Sequence, residues 1–310
     1  MKKFKFLIKY DILIQKGIYM KKRNSLIELY RFLLALVVVK SHGMFPYTGP
    51  YIGPGRIAVE FFFVLSGYLF LKSLDKYIDL PVKEGLFKFV FSKIKTLFIP
   101  LVIALPFNIF YKILVKDYSI GIWGYLWYVH DMLVIFIGYY FIRKFVKNKK
   151  AFWIITASIF LIAAILHVTP FFYSWGYIRA AMSISLGMMV SKIPPLKLNR
   201  PNLLWIALVP IQIIIILIFV FGNNLLIEEI LDLVLYPLLI YLTFQLKIDN
   251  KLFNYLGSLS FGLYAFQCVV RPFEVLGLNN VWIMFGIIVL LSVLEDGFKR
   301  IYRHYKKKKI

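Results

Sequence analysis

Leu203-Leu-Trp-Ile-Ala-Leu-Val-Pro210-Ile-Gln-Ile-Ile-Ile-Ile-Leu-Ile-Phe-Val-Phe221 contains one amide side chain and no charge. About 20 apolar residues are enough for a helix to cross the hydrocarbon core of a bilayer, so this stretch reads as a transmembrane helix. Nine more apolar blocks flank it: Leu26–Ser41, Ile57–Leu71, Phe89–Tyr111, Gly124–Phe141, Phe152–His167, Ile178–Ser191, Ile227–Leu246, Tyr255–Val270 and Val281–Phe298. Several are short, which predicts that they extend into their flanks or cross where the bilayer is thin. The chain has 310 residues, 61% of them hydrophobic, and its mean hydropathy is +0.76. A soluble domain is about half apolar, so the excess here must face lipid. The expected fold class is all-α: one polytopic transmembrane helical protein of about ten spans, with no repeat, linker or soluble domain. Pro100, Pro106, Pro210 and Pro237 fall inside spans and are expected to kink them.

The formal net charge is +23, but the basic residues come in clumps between apolar blocks. A nucleic-acid partner is excluded, because it would need a basic face on a polar fold. The clumps mark a cytoplasmic side instead. With the N-terminus inside, the inner segments carry Lys72, Lys76, Lys83, Lys88, Lys93 and Lys95, then Arg143 to Lys150, Lys192 to Arg200, Lys247 and Lys251, and the tail Lys299 to Lys309. The outer segments 43–55, 168–177 and 222–226 have no Lys or Arg, while Lys40, Arg56, Lys112, Lys116 and Arg271 are the exceptions. The alternation predicts an even number of spans, both termini in the cytoplasm, and a multi-pass location in the inner or plasma membrane. Residues 1–25 are expected to form a cytoplasmic N-terminal segment, 26–300 the transmembrane domain, and 301–310 a basic cytoplasmic tail. Met1–Tyr19 is interrupted by Lys9, Asp11 and Lys16, with no small-residue cleavage site. It reads as an amphipathic surface segment rather than a cleaved leader, with translation starting at Met1 or at Met20.

Cys268 is the single cysteine, so no intrachain disulfide forms, and no Cys/His cluster or paired metal ligands point to a metal. A nucleophile elbow and a Gly-rich phosphate loop are also missing from the sequence. The chemistry must therefore rest on the ionisable residues inside apolar blocks, which are costly there and tend to face a cavity or a partner. These are Arg31, His42, Glu60, His130, Asp131, Arg179, Asp232 and Arg271. Arg31 and His42 are eleven positions apart, which on a continuous helix is three turns plus roughly 20° and a rise of about 16 Å. The two side chains would share a face at different depths. Arg31 would suit an anionic ligand group such as phosphate, and His42, near the outer end, would suit proton transfer because its pKa lies near neutrality. The plainer alternative is that Arg31 snorkels inward while His42 caps the helix.

Glu60 follows Arg56 by four residues, so the two can pair on one helical face; otherwise Glu60 orients His42. Ser66 and Gly67 are small enough to let a helix or a thin ligand approach closely.

Together these residues resemble the integral membrane acyltransferases of acyltransferase family 3. The Arg-x10-His pair matches Arg31 and His42, and the motif FFVLSGFL matches Phe62–Leu69, with Glu60 just ahead of it. A Trp-aromatic segment resembles Leu126–Leu133 around Trp127, and a late SF-x-x-Y segment resembles Ser260–Tyr264. The resemblance covers essentially the whole chain. It departs at Gln267, where the family often has a His, and at Lys93 and Lys95, where it commonly has arginines before a Pro. An amide cannot transfer protons, and Lys lacks the bidentate fork of Arg.

The resemblance implies an O-acyltransferase, with residues 26–300 as the acyltransferase domain. Its donor substrate would be cytoplasmic acetyl-CoA or another acyl-CoA, with no bound cofactor, and its acceptor an envelope carbohydrate. His42 is then the expected general base and Glu60 the group that steadies its imidazolium. Arg31, Lys93, Lys95, Ser66 and Trp127 are the expected substrate-binding residues. No oxyanion stabiliser is evident. The competing classes are a transporter or flippase for a glycolipid or small solute, and a non-catalytic partner in envelope assembly. No inverted repeat favours the first, and the intact Arg31/His42 pair argues against the second.

Overall fold

The computed structural model describes residues 24–43, 55–116, 126–169, 176–196, 203–221, 225–277 and 280–308. The proposed amphipathic segment Met1–Tyr19 lies outside them, as do residues 44–54, 117–125, 170–175, 197–202, 222–224 and 278–279. Among the described residues there is no strand. The helices are α1 (Ser25–Ser41), α2 (Gly55–Leu74), α3 (Val82–Val115), α4 (Trp127–Phe145), α5 (Lys149–His167), α6 (Gly176–Val190), α7 (Leu204–Phe221), α8 (Leu225–Ile230), α9 (Tyr236–Gln245), α10 (Lys251–Val275) and α11 (Val281–Lys308). A π turn, Leu231–Leu235, joins α8 to α9.

Every apolar block has a helical counterpart, and the eighth is built from α8, the π turn and α9 together. Three stretches are long and apolar enough to cross a membrane: Ile57–Leu74, Lys149–His167 and Val281–Tyr302. The two halves of α3, Val82–Lys95 and Ile99–Val115, add a fourth if they are one span; they meet at 77°. That break sits just ahead of Pro100, whose ring crowds the preceding turn and has no N–H to give it. The remaining helices are shorter or carry charges, as α1 does with Glu28, Arg31 and Lys40.

Two helices organise the bundle. α10 packs against α1, α3 and α11, while α2 packs against α1 and α6, and α6 against α4 and α5. Of the crossing stretch of α2, 67% is buried, against 22% for α5 and 28% for α11. The outer helices turn large apolar side chains outward, among them Ile154, Leu161 and Ile165 on α5, Ile206 and Ile216 on α7, and Trp282 and Leu290 on α11. Water does not tolerate an apolar perimeter this extensive on a monomer; lipid does.

Lipid tails give helices little hydrophobic reason to associate, so close backbone packing and buried hydrogen bonds must hold them. Gly67 on α2 and Gly187 on α6 supply the first. A Cβ on Gly67 would collide with the backbone carbonyl of Ile184, and one on Gly187 with that of Val64. The two backbones therefore touch where both helices have a glycine. Gly67→Val should lower the melting temperature in detergent, with an overpacking cost of about 1–3 kcal/mol. Gly138, whose Cβ would meet nothing within 4 Å, is the control: Gly138→Ala should leave the melt unchanged or raise it.

Candidate functional site

The N-terminus of α1 is tied to the connection between α9 and α10. Asn24 caps α1 by accepting from the amides of Leu26 and Ile27, while its own amide nitrogen donates to the carbonyls of Thr243 and Leu246, both at 2.8 Å. The Ser25 amide donates to the Ile248 carbonyl at 3.2 Å, and Ser25 Oγ accepts from the Asn250 amide at 2.7 Å. One turn on, Glu28 meets α10 at Gly257, where any Cβ would strike the glutamate.

These contacts form one end of a cavity of about 930 Å³. Asn24, Lys247, Ile248 and Asp249 line this end, Glu28 and Arg31 the flank, and Leu69, Ser66, Leu65, Phe62 and Val59 the wall along α2. From Leu69 to Val59 the helix rises about 15 Å. Tyr128, Tyr264, Ser260, Phe244 and Leu97 complete the lining. Most of the surface is apolar or aromatic, with a few convergent polar groups, which is the usual make-up of a small-molecule site. Among the described residues no group of His, Cys, Asp and Glu could hold a metal ion.

Arg31 Nη1 donates to Glu28 Oε2 at 2.7 Å. This bond takes one of the five N–H donors of a guanidinium and holds the group beside Glu28 on the flank of the cavity. Ser66 also lines the cavity, with Oγ 3.4 Å from the Tyr128 hydroxyl. The structure thus brings together two of the expected site residues, Arg31 and Ser66.

The other expected residues lie elsewhere. Lys93 sits among the rings of Phe70, Phe89 and Phe136, 5.3–5.8 Å from their centroids, with Nζ donating to Ser73 Oγ at 2.5 Å. Lys95 is exposed. Trp127 packs on Phe63, and its neighbour Tyr128 is the residue that faces the cavity. None of Lys93, Lys95 and Trp127 is part of the lining.

His42 caps the C-terminus of α1, just outside the span that ends at Ser41. α1 is continuous from Ser25, so His42 lies beyond Arg31 along one helix. Its carbonyl accepts from Arg271 Nη2 of α10 at 2.8 Å. Burial, and secondarily the Arg271 charge, push the pKa of the imidazole down to about 4. The ring is therefore neutral at physiological pH, further from protonation than its type alone implies. Gly55, at the start of α2, abuts Ser41. The end of the cavity at Val59 is thus one helical turn, about 6 Å, from the level of α1's last residue.

Glu60 is fully buried and accepts from Arg179 Nε at 2.5 Å and from Ser183 Oγ at 2.6 Å. Its carboxylate is engaged by Arg179 and Ser183 of α6; the Arg56 side chain, the partner expected from spacing, lies outside the described residues. Asp232 of the π turn is buried close enough to feel both charges of the pair. Glu60, Arg179 and Asp232 stood separately in the sequence, and the fold gathers them into one network. Glu28, Lys247, Asp249 and Tyr264 were not identified as site residues. Glu28 had a legible signal in its position one turn ahead of Arg31.

A family model described as an acyltransferase domain matches residues 24–294. No curated protein and no solved structure matches the chain.

Arg179→Met strands the Glu60 charge in the interior and should cost about 3–5 kcal/mol, read as a fall in melting temperature or loss of the folded protein. Adding Glu60→Gln should recover much of that loss. A double variant no more stable than Arg179→Met alone would mean that the charge pairing is not what holds α2 to α6.

Proposed function

The chain belongs to acyltransferase family 3, and on that premise we propose that it transfers an acyl group, in the first instance acetyl, from cytoplasmic acyl-CoA to a hydroxyl of a cell-envelope or exported carbohydrate. In this reading ten spans cross the inner or plasma membrane with both termini in the cytoplasm, so that Asn24, Lys247 and Asp249 stand at the donor's entrance and His42 on the acceptor's side. The observation that carries it is the cavity lined by Arg31, which runs along α2 from Leu69 to within about a turn of the His42 level. A long, flexible thioester arm fits a passage of this shape, and its apolar wall keeps water from the thioester.

Arg31 holds an anionic or carbonyl group of the donor, its guanidinium aimed by Glu28. Lys247 at the mouth attracts the donor's phosphates. Ser66 and Tyr128 offer hydroxyls to the arm. Lys93 and Lys95, which sit away from the cavity, act on the donor only through the charge they give the cytoplasmic face, and Trp127 acts by holding Tyr128 in place. His42, neutral at rest, takes the proton of the sugar hydroxyl as that oxygen attacks the thioester carbon. The C–S bond then breaks, the thiolate recovers a proton as CoA thiol, and an ester remains on the sugar. Glu60, held by α6, contributes by fixing α2 as the wall of the passage.

His42→Ala should abolish acyl transfer while the protein still inserts and melts normally; full activity in that variant removes the base from the mechanism. Arg31→Lys should raise the KM for acetyl-CoA and leave use of the acceptor unchanged. Mass spectrometry of envelope glycans from cells with and without the gene should differ by one acyl unit. A purified protein that does not consume acetyl-CoA would instead favour a transporter.

A further inference from the structure

Gln267 and Arg271 are one turn apart on α10, the helix that packs along α1. Gln267 is buried and spends its Nε2 on its own helix, donating to the carbonyl of Tyr264 at 3.1 Å and towards that of Leu263 at 3.4 Å. Arg271 crosses to α1 instead. Its Nη2 donates to the carbonyl of His42 at 2.8 Å, and its Nη1 to Glu274 Oε2 at 2.5 Å.

The last carbonyls of a helix have no partner within it and must find one elsewhere. At the end of α1 the guanidinium serves the very residue that carries the imidazole. His42 has φ −92° and ψ 10°, in the sparsely populated bridge region; its N–H still donates to the Val38 carbonyl at 3.3 Å, and Arg271 ties down its carbonyl on the other side. Two bonds, one to α1 and one to Glu274, hold the guanidinium between them.

We infer that Arg271 is the positioning residue for His42: it fixes the backbone on which the imidazole stands and presents a held positive charge beside the ring, where the oxyanion of acyl transfer develops. The inference rests on His42 being the base. When the hydroxyl oxygen bonds to the thioester carbon, its proton passes to the imidazole and the carbonyl electron pair moves onto oxygen. An imidazolium and an oxyanion form together, and the oxyanion offsets the repulsion between the two cations. Collapse expels the thiolate, and the imidazolium returns the proton to it. The resting ring is kept neutral by burial and by this same charge, and both make its imidazolium costly until the oxyanion forms beside it.

The test uses the full-length protein in nanodiscs, with acetyl-CoA as donor and glycan extracted from the producing cells as acceptor. Arg271→Gln should lower kcat by about 10²-fold, the scale of losing one group that stabilises an oxyanion, with the KM for acetyl-CoA within twofold of the parent. Arg271→Lys, which keeps the charge but not the fork, should recover at least tenfold of that loss. A parental kcat in Arg271→Gln, a loss confined to KM, or a Lys variant as poor as Gln overturns the assignment. If Arg271→Gln does not fold, Glu274→Ala carries the test: it removes the acceptor that holds Arg271 Nη1 and leaves the guanidinium loose, and a parental kcat there would equally overturn the proposal. Activity in His42→Ala would sink the base itself, whereas an inactive His42→Ala beside an unaffected Arg271→Gln would sink only this inference.

Discussion

α1 is pinned to α10 and its approach at both ends, and every feature of the site follows from that attachment. At one end Asn24 and Ser25 bind the chain entering α10, and Gly257 lets the backbone of α10 come right up to Glu28. At the other, Arg271 reaches the carbonyl of His42. Between these ties the helix is uninterrupted, so the register that sets Glu28 beneath Arg31 also sets the distance from Arg31 to His42. In lipid, where apolar contact alone distinguishes little between one neighbour and another, a helix fixed at its two ends by hydrogen bonds has a defined rotation as well as a defined partner.

The cavity inherits its character from the helices that meet there. α1 and the 246–249 connection bring charge, α2 and α9 bring aromatic and aliphatic surface, and α4 and α10 bring two tyrosines. The charged groups gather at one end and along one flank, and the opposite wall is apolar. A molecule with a charged head and a long, modestly polar arm is complementary to that gradient.

Much of the bundle was legible in the sequence because apolar block length is a one-dimensional property. Each block became helical, and the sharp bend of α3 comes just before Pro100. The site was legible only where its geometry is local. Arg31 could be found because a cation inside a span is anomalous, and α1's continuity follows from its uninterrupted run. Glu60 shows where local reading stops: its carboxylate is held by Arg179, 119 positions on, which no local spacing points to. Lys93 shows the same limit. The resemblance implied a ligand for it, but Phe89, one turn back on α3, and Phe70 and Phe136 of α2 and α4 surround it, and no spacing rule brings the last two rings to it. Lys247 reads in the sequence only as part of a basic segment between spans and nothing there marks Asp249, because only the fold brings that loop to the cavity.

The crossing of α2 and α6 at Gly67 and Gly187 bears on how the protein moves. Two backbones in direct contact have no side chain between them to change rotamer, and an ion pair locks the same helices a few turns away. The pair therefore behaves as one stiff plate. Any widening of the cavity must be borne by the facing side, where α1 hangs from its end ties and α3 already bends at its break.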